Sequence, residues 1–118
     1  MKLKVYAYAN CGTCRNALQW LNARGIPYET VAIRETPPAP KEIKRMLRAY
    51  GGDVRRLFNT SGGDYKAMNL KATLPTMSES DAVALLAAHG NLVKRPFVLG
   101  KDVALVGFQE AAWEAALG

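Results

Sequence analysis

Residues 3–33 leave this chain few folds to choose from. The run LKVYAY at 3–8 is rich in strand-forming residues and stops at the turn-prone Asn10, so it reads as a buried strand. Cys14, Ala17, Leu18 and Leu21 then recur at the i, i+3, i+4, i+7 spacing of one helix face, and Gly25 followed by Pro27 supplies a stop. After that short connection YETVAI at 28–33 alternates and carries β-branched residues, as a second strand would. Strand, helix and strand in this order imply a parallel pair joined by a right-handed crossover.

Downstream, ETPPAP breaks the pattern, and residues 41–50 resume it with Ile43, Met46, Leu47 and Tyr50 on one helical face. Gly51-Gly52 and Ser61-Gly62-Gly63 punctuate short helical pieces, DVRRLF and DYKAMNL. Residues 78–89 read as a helix with Ser78 or Ser80 as N-cap, Val83, Leu86 and Ala87 facing inward, and Gly90 as its C-terminal stop. PFVLG and DVALVG form a hairpin through Gly100-Lys101. A last helix at 109–117 closes over the sheet with Ala112, Trp113, Ala116 and Leu117. The sum is an α/β chain, a βαβ half and a ββα half separated by a helical insertion at about residues 39–90, and this is the layout of a thioredoxin-like fold.

A chain of 118 residues with 49% hydrophobic content is long enough for one core and too short for two ordinary domains, so residues 1–118 are expected to form a single domain. No apolar run approaches the ~20 residues of a membrane span, and MKLKVYAYANC lacks the pattern of a signal peptide. A cytoplasmic monomer without membrane contact is expected. The formal charge is +6, and residues 34–56 hold seven basic against three acidic residues, four of the six net charges. Such a surface favours anionic ligands or acidic partners. Direct DNA recognition is not expected, because no helix-turn-helix, zinc-finger or aromatic-interleaved basic pattern is present.

Both cysteines lie in NCGTCR at 10–15, between the first strand and the first helix. In a reducing compartment such a pair is more often catalytic, redox-sensing or metal-binding than structural, and so short a loop constrains the unfolded chain weakly. Residues three apart in a regular helix have Cβ atoms about 5–6 Å apart, whereas a disulfide needs roughly 3.5–4.5 Å. A reversible bridge therefore requires Cys11 to lie outside the helix, with Gly12 relaxing the backbone between the two. There Cys11 meets the free N–H groups of the helix and the nearby cation Arg15, which favour a thiolate nucleophile, while Cys14 one turn in suits a resolving thiol. Zinc wants three or four ligands, and two cysteines with the lone His89 do not supply them, so no metal and no bound cofactor are expected. His89 reads as a C-terminal partner for a helix dipole. Redox chemistry is the favoured reading of the pair, and an inert pair is the alternative.

Three islands, NCGTCRNAL at 10–18, ETPP at 35–38 and KRPFVL at 94–99, make nearly the whole chain resemble the glutaredoxin-coupled arsenate reductase family, which includes the Spx-type transcription regulators. The resemblance implies a thioredoxin-like fold and a cis bond at Pro96, which X-Pro links tolerate at about 0.5–1 kcal/mol. It also implies that Arg95 aims its guanidinium at the Cys11 sulfur and grips an oxyanion. Gly12, Thr13, Arg15, Arg95 and Pro96 are thus the expected substrate-binding or thiolate-stabilising residues around the catalytic Cys11 and Cys14.

Two departures stand out. Well-studied arsenate reductases of this type surround their cysteine with three arginines, but Asn59 falls where one is expected and the last site falls near Gly107. They also use a single cysteine at this motif, whereas Cys14 here matches the Spx-type CxxC. The implied function is a thiol-disulfide reductase, with arsenate a candidate substrate and glutathione, glutaredoxin or thioredoxin as external reductant. The alternative is a redox-sensing regulator that binds RNA polymerase.

Overall fold

The computed structural model describes residues 2–118. Four strands, β1 (Leu3–Ala7), β2 (Tyr28–Ala32), β3 (Phe97–Leu99) and β4 (Ala104–Val106), form one sheet in the order β2-β1-β3-β4. β1 runs parallel to β2, from Leu3 opposite Tyr28 to Ala7 opposite Ala32, and antiparallel to β3, with Val5 opposite Val98. β3 and β4 are antiparallel, with Val98 opposite Leu105, and their connection closes through the Gly100 N–H and the Val103 carbonyl at 2.9 Å. This is the expected thioredoxin-like arrangement.

The period-2 alternation of each strand feeds two cores, one on each face. Leu3, Val5, Val98 and Leu105 face α1 (Gly12–Ala23) and α6 (Glu110–Leu117), packing on Ala17, Trp20, Leu21 and Trp113. Tyr6, Phe97, Leu99 and Val106 face the other way, onto Ile43, Met46 and Leu47 of α2 (Pro40–Ala49) and Val83 and Leu86 of α5 (Glu79–Ala88). Between α2 and α5 lie a 3₁₀ turn at Val54–Leu57, the short helices α3 (Gly63–Ala67) and α4 (Leu70–Thr73), and a second 3₁₀ turn at Leu74–Thr76. Trp20, rather than Leu18, fills the fourth buried position of α1, because its ring packs edge-on against Trp113 at 5.9 Å. The last helix departs from expectation: only Trp113 is fully buried, Leu117 is half-buried, and Ala112 and Ala116 are exposed. One large indole, with its N–H donated to the Gly107 carbonyl, docks this helix without help from the alanines.

The helix ends follow local chemistry. Gly25 takes φ +65° and closes α1 with bonds from Gly25 N–H to Asn22 and from Ile26 N–H to Leu21, both 3.1 Å, a pairing a β-carbon would strain. Ser78 caps α5 by accepting the Asp81 N–H at 3.1 Å. Gly90 is a correction. It does not adopt the left-handed stop geometry expected of it, and His89 is the exposed C-cap. Glycine is required because a β-carbon there would sit 1.8 Å from the Ile33 carbonyl oxygen, where the insertion returns against the end of β2. Gly90→Ala must therefore push backbone from backbone, and is expected to cost about 2 kcal/mol or more. Thermal unfolding by circular dichroism measures this, and an unchanged Tm would show that the contact is relaxed elsewhere.

A cysteine-centred candidate active site

β1 delivers the chain to the reactive centre. One turn after it, the Cys11 N–H donates to the Tyr8 carbonyl at 3.1 Å, and Cys11 itself stays extended at φ −95°, ψ 117°. It is the N-cap of α1: its carbonyl accepts the first helical N–H from Arg15 at 3.0 Å, and its Sγ accepts the Cys14 N–H at 3.4 Å. The sulfur thus takes the place of the oxygen acceptors that usually satisfy a helix N-terminus. Cys11 is half-buried, Cys14 is buried, and the two sulfurs are unbridged.

Their surroundings drive the two thiols apart. Burial pushes Cys11 upward, but hydrogen bonds from the Cys14 thiol and backbone N–H, and the bond and charge of Arg95, outweigh it and hold Cys11 below the ordinary thiol value. Burial pushes Cys14 up to about 12, with the adjacent Cys11 adding to the rise against a backbone bond at Tyr8 and the charge of Arg95. Ionisation is favoured on one sulfur and opposed on the other. This asymmetry is what a nucleophile followed by a resolving thiol requires.

Cys11 opens into a cleft of about 700 Å³. Thr13 lines it with Cys11, and Arg95 stands at the wall through a cis Arg95–Pro96 bond at the start of β3. Gly12 is the first residue of α1. Arg15 is placed differently from expectation: its guanidinium donates to the Ala9 carbonyl at 3.3 Å and is not among the cleft-lining groups, so Arg95 is the cation at the sulfur. The first turn of the helix points the Arg15 side chain back toward the chain that precedes it.

Three cations of this cleft escaped the sequence reading. Arg55, Arg56 and Lys94 line it beside Arg95, opposed by Asp53, while Asn59 and Gly107, the positions at which the resemblance implies arginines, line it without charge. The 3₁₀ turn carrying Arg55 and Arg56 is tied to the segment before Pro96 by the bond from Lys94 N–H to the Leu57 carbonyl at 2.8 Å, from Asn59 N–H to the Leu92 carbonyl at 2.7 Å, and a Phe58–Val93 bridge. Gly107, at φ +69°, lies under the Lys94 stem, and a β-carbon there would meet Lys94 Cε at 2.8 Å. The charge expected of absent arginines is therefore supplied from other positions. For Arg55 and Arg56 the sequence signal was the basic excess of residues 34–56, which gave no direction, and Lys94 stood in the KRPFVL island beside Arg95 without a role. Among the described residues no group of three or more His, Cys, Asp or Glu is placed to hold a metal ion.

A lowered thiol capping the first helix beside Arg95, on a mixed four-stranded sheet of the order β2-β1-β3-β4, defines a thioredoxin-like thiol protein. The ArsC family model matches residues 6–116, and the chain belongs to the ArsC family. The uncharacterized protein YusI of Bacillus subtilis is 41% identical over 97% of each chain. The crystal structure of an ArsC family related protein from Bacteroides fragilis superimposes with a TM-score of 0.92 at 40% identity over 98% of both chains. An arsenate reductase of Neisseria meningitidis is 30% identical over 90% of each chain. The global transcriptional regulator Spx of Bacillus subtilis is 26% identical over 90% of this chain and 79% of its own.

Two outcomes follow from the electrostatics. Arg95→Ala removes the cation and is expected to raise the Cys11 titration midpoint and to slow its alkylation about three-fold or more below that midpoint, the lost ionisation being partly offset by a more nucleophilic thiolate. An unchanged thiol titration would remove Arg95 from the site. The pair also leaves a signature in stability. Lowered Cys11 stabilises the reduced fold increasingly as pH rises to about 9, the ordinary value, and raised Cys14 destabilises it as pH rises further toward about 12. The difference in Tm between the reduced protein and its Cys11→Ala/Cys14→Ala variant is therefore greatest near pH 9, and a flat difference would contradict the assigned asymmetry.

Proposed function

We propose that this ArsC-family protein is a cytoplasmic thiol-disulfide reductase that works as a monomer, with Cys11 as nucleophile and Cys14 as resolving thiol. The observation that carries the reading is the opposed pair, Cys11 lowered under Arg95 and Cys14 raised by burial one helical turn away. The Cys11 thiolate attacks one sulfur of an oxidised thiol, forming a mixed disulfide and releasing the other sulfur as a thiolate. That bond removes the negative charge on Cys11, and with it one of the causes that raise Cys14. Cys14 then loses its proton to solvent and attacks the Cys11 sulfur, releasing the second thiolate and leaving a Cys11–Cys14 disulfide. Two electrons have passed to the substrate, and glutathione, glutaredoxin or thioredoxin restores the dithiol.

Arsenate enters the same scheme as an oxyanion attacked at arsenic, with hydroxide leaving, and two-electron reduction when Cys14 attacks the adduct. Arg55, Arg56, Lys94 and Arg95 bring positive charge to the cleft, but the neutral Asn59 and Gly107 stand where a three-arginine cradle would close on a tetrahedral anion. Oxidised thiols are therefore placed ahead of arsenate. The second reading, a redox-sensing regulator that contacts RNA polymerase, is favoured by the Cys11–Cys14 pair itself and by the likeness to Spx.

Turnover of a small disulfide and of arsenate, each with purified reducing partners, tests this. Wild type is expected to reduce the disulfide, Cys11→Ser to fall to background, and Cys14→Ser to accumulate a mixed disulfide on Cys11 visible by mass. A wild type no faster than Cys11→Ser on either substrate would sink the reductase. Polymerase capture that depends on the oxidation state would then point to the regulator.

A further inference from the structure

Tyr8 has no part in the scheme above, yet its side chain collects the groups around Cys11. Its ring lies 4.7 Å from the Arg34 guanidinium and 5.0 Å from that of Arg95. Its hydroxyl oxygen accepts from Arg34 Nη1 at 2.7 Å and from Asn10 Nδ2 at 3.3 Å. Among the described residues neither arginine has a carboxylate within ion-pair distance. Two guanidinium groups on one half-buried side chain repel each other, and the Cys11 sulfur answers only Arg95, so the pair needs a further hold. The face of the ring supplies it, since a phenol attracts cations electrostatically and Arg favours such stacking.

We infer that Tyr8 is a positioning residue, holding Arg95 against the Cys11 sulfur through its ring while Arg34 and Asn10 fix the ring by its hydroxyl. The inference rests on the reading of Cys11 as nucleophile and adds what orients its cation. An aromatic anchor differs from an ionic one in a way that matters here. A carboxylate would compete with the thiolate for the guanidinium donors and add a negative charge beside the sulfur, both of which oppose ionisation of Cys11. A ring offers neither cost. The phenol is itself held below its ordinary value, by the bond from Asn10 first and then by the charge of Arg34 and, further down, Arg95, as donors and cations around its hydroxyl require.

The test is the pH profile of Cys11 alkylation in the reduced full-length protein, with circular dichroism to confirm folding. Tyr8→Leu, which removes the ring, is expected to slow alkylation about two- to five-fold below the midpoint. Tyr8→Phe, which keeps the ring, is expected to stay within about twofold of wild type. In an Arg95→Ala background Tyr8→Leu should have no further effect, because there is no guanidinium left to hold. Tyr8→Leu titrating like wild type would overturn the inference. So would an equal slowing with and without Arg95, which a merely structural disturbance produces, and so would Tyr8→Phe as slow as Tyr8→Leu. If Tyr8→Leu does not fold, Tyr8→Met takes its place under the same expectations. A wild-type midpoint in the ordinary cysteine range would fail the nucleophile reading itself, whereas a lowered wild-type midpoint that survives loss of the ring fails only Tyr8.

Discussion

Cys11 can serve two masters because its backbone is extended while the residues that follow it are helical. At φ −95° and ψ 117° it ends the path from β1 and caps α1, so its sulfur accepts the Cys14 N–H that would otherwise point at solvent. Had the helix begun one residue earlier, the two sulfurs would sit one regular turn apart, at a separation that does not close into a disulfide. The place of β1 explains why the junction holds still. It is an inner strand, paired on both sides, with Leu3, Val5 and Tyr6 buried between helices of both layers.

Burial then separates the two thiols. Cys14 shares the inward face of α1 with Ala17 and Leu21 and is 1% exposed, whereas Cys11 reaches the cleft. The same low-dielectric surroundings that disfavour charge on Cys14 strengthen the bonds made to Cys11. Burial raises both thiols, and it is the bonds from Cys14 and the bond and charge of Arg95 that bring Cys11 down while Cys14, one turn into the helix, stays raised.

The positive charge of the chain is divided in space in a way its sequence does not announce. Of the basic run at 34–56, Arg34 goes to Tyr8, and Arg55 and Arg56 reach the cleft of Cys11. Lys41, Arg45 and Arg48 lie at the other end of β1 with Lys2 and Lys4, where Glu42 pairs with Lys4 at 3.2 Å and accepts the Tyr6 hydroxyl. A cleft with several cations, one of them a flexible lysine over Gly107, matches extended anionic groups more loosely than three forked guanidinium groups would match a compact oxyanion.

The elements of the fold were legible because each rests on short-range chemistry. The alternation of residues 28–33, the face of Cys14, Ala17 and Leu21, the stop at Gly25 and the cap at Ser78 each lie within a few residues of what they decide. The cysteine pair was legible for the same reason, as three residues of spacing at the end of a strand. What lay beyond that range was not. The use of Gly90 depends on the Ile33 carbonyl, the burial of Trp113 without its alanine neighbours depends on Trp20, and the turning of Arg15 to Ala9 follows from no local pattern, while Arg95, 84 positions beyond Cys11, was expected only through the family resemblance. Local spacing places a cysteine pair at a helix N-terminus because capping and helix periodicity act over one or two turns. Which cations surround it, and which ring holds them, follows from pairings between segments far apart in the chain, and only the folded sheet with its insertion brings those segments together.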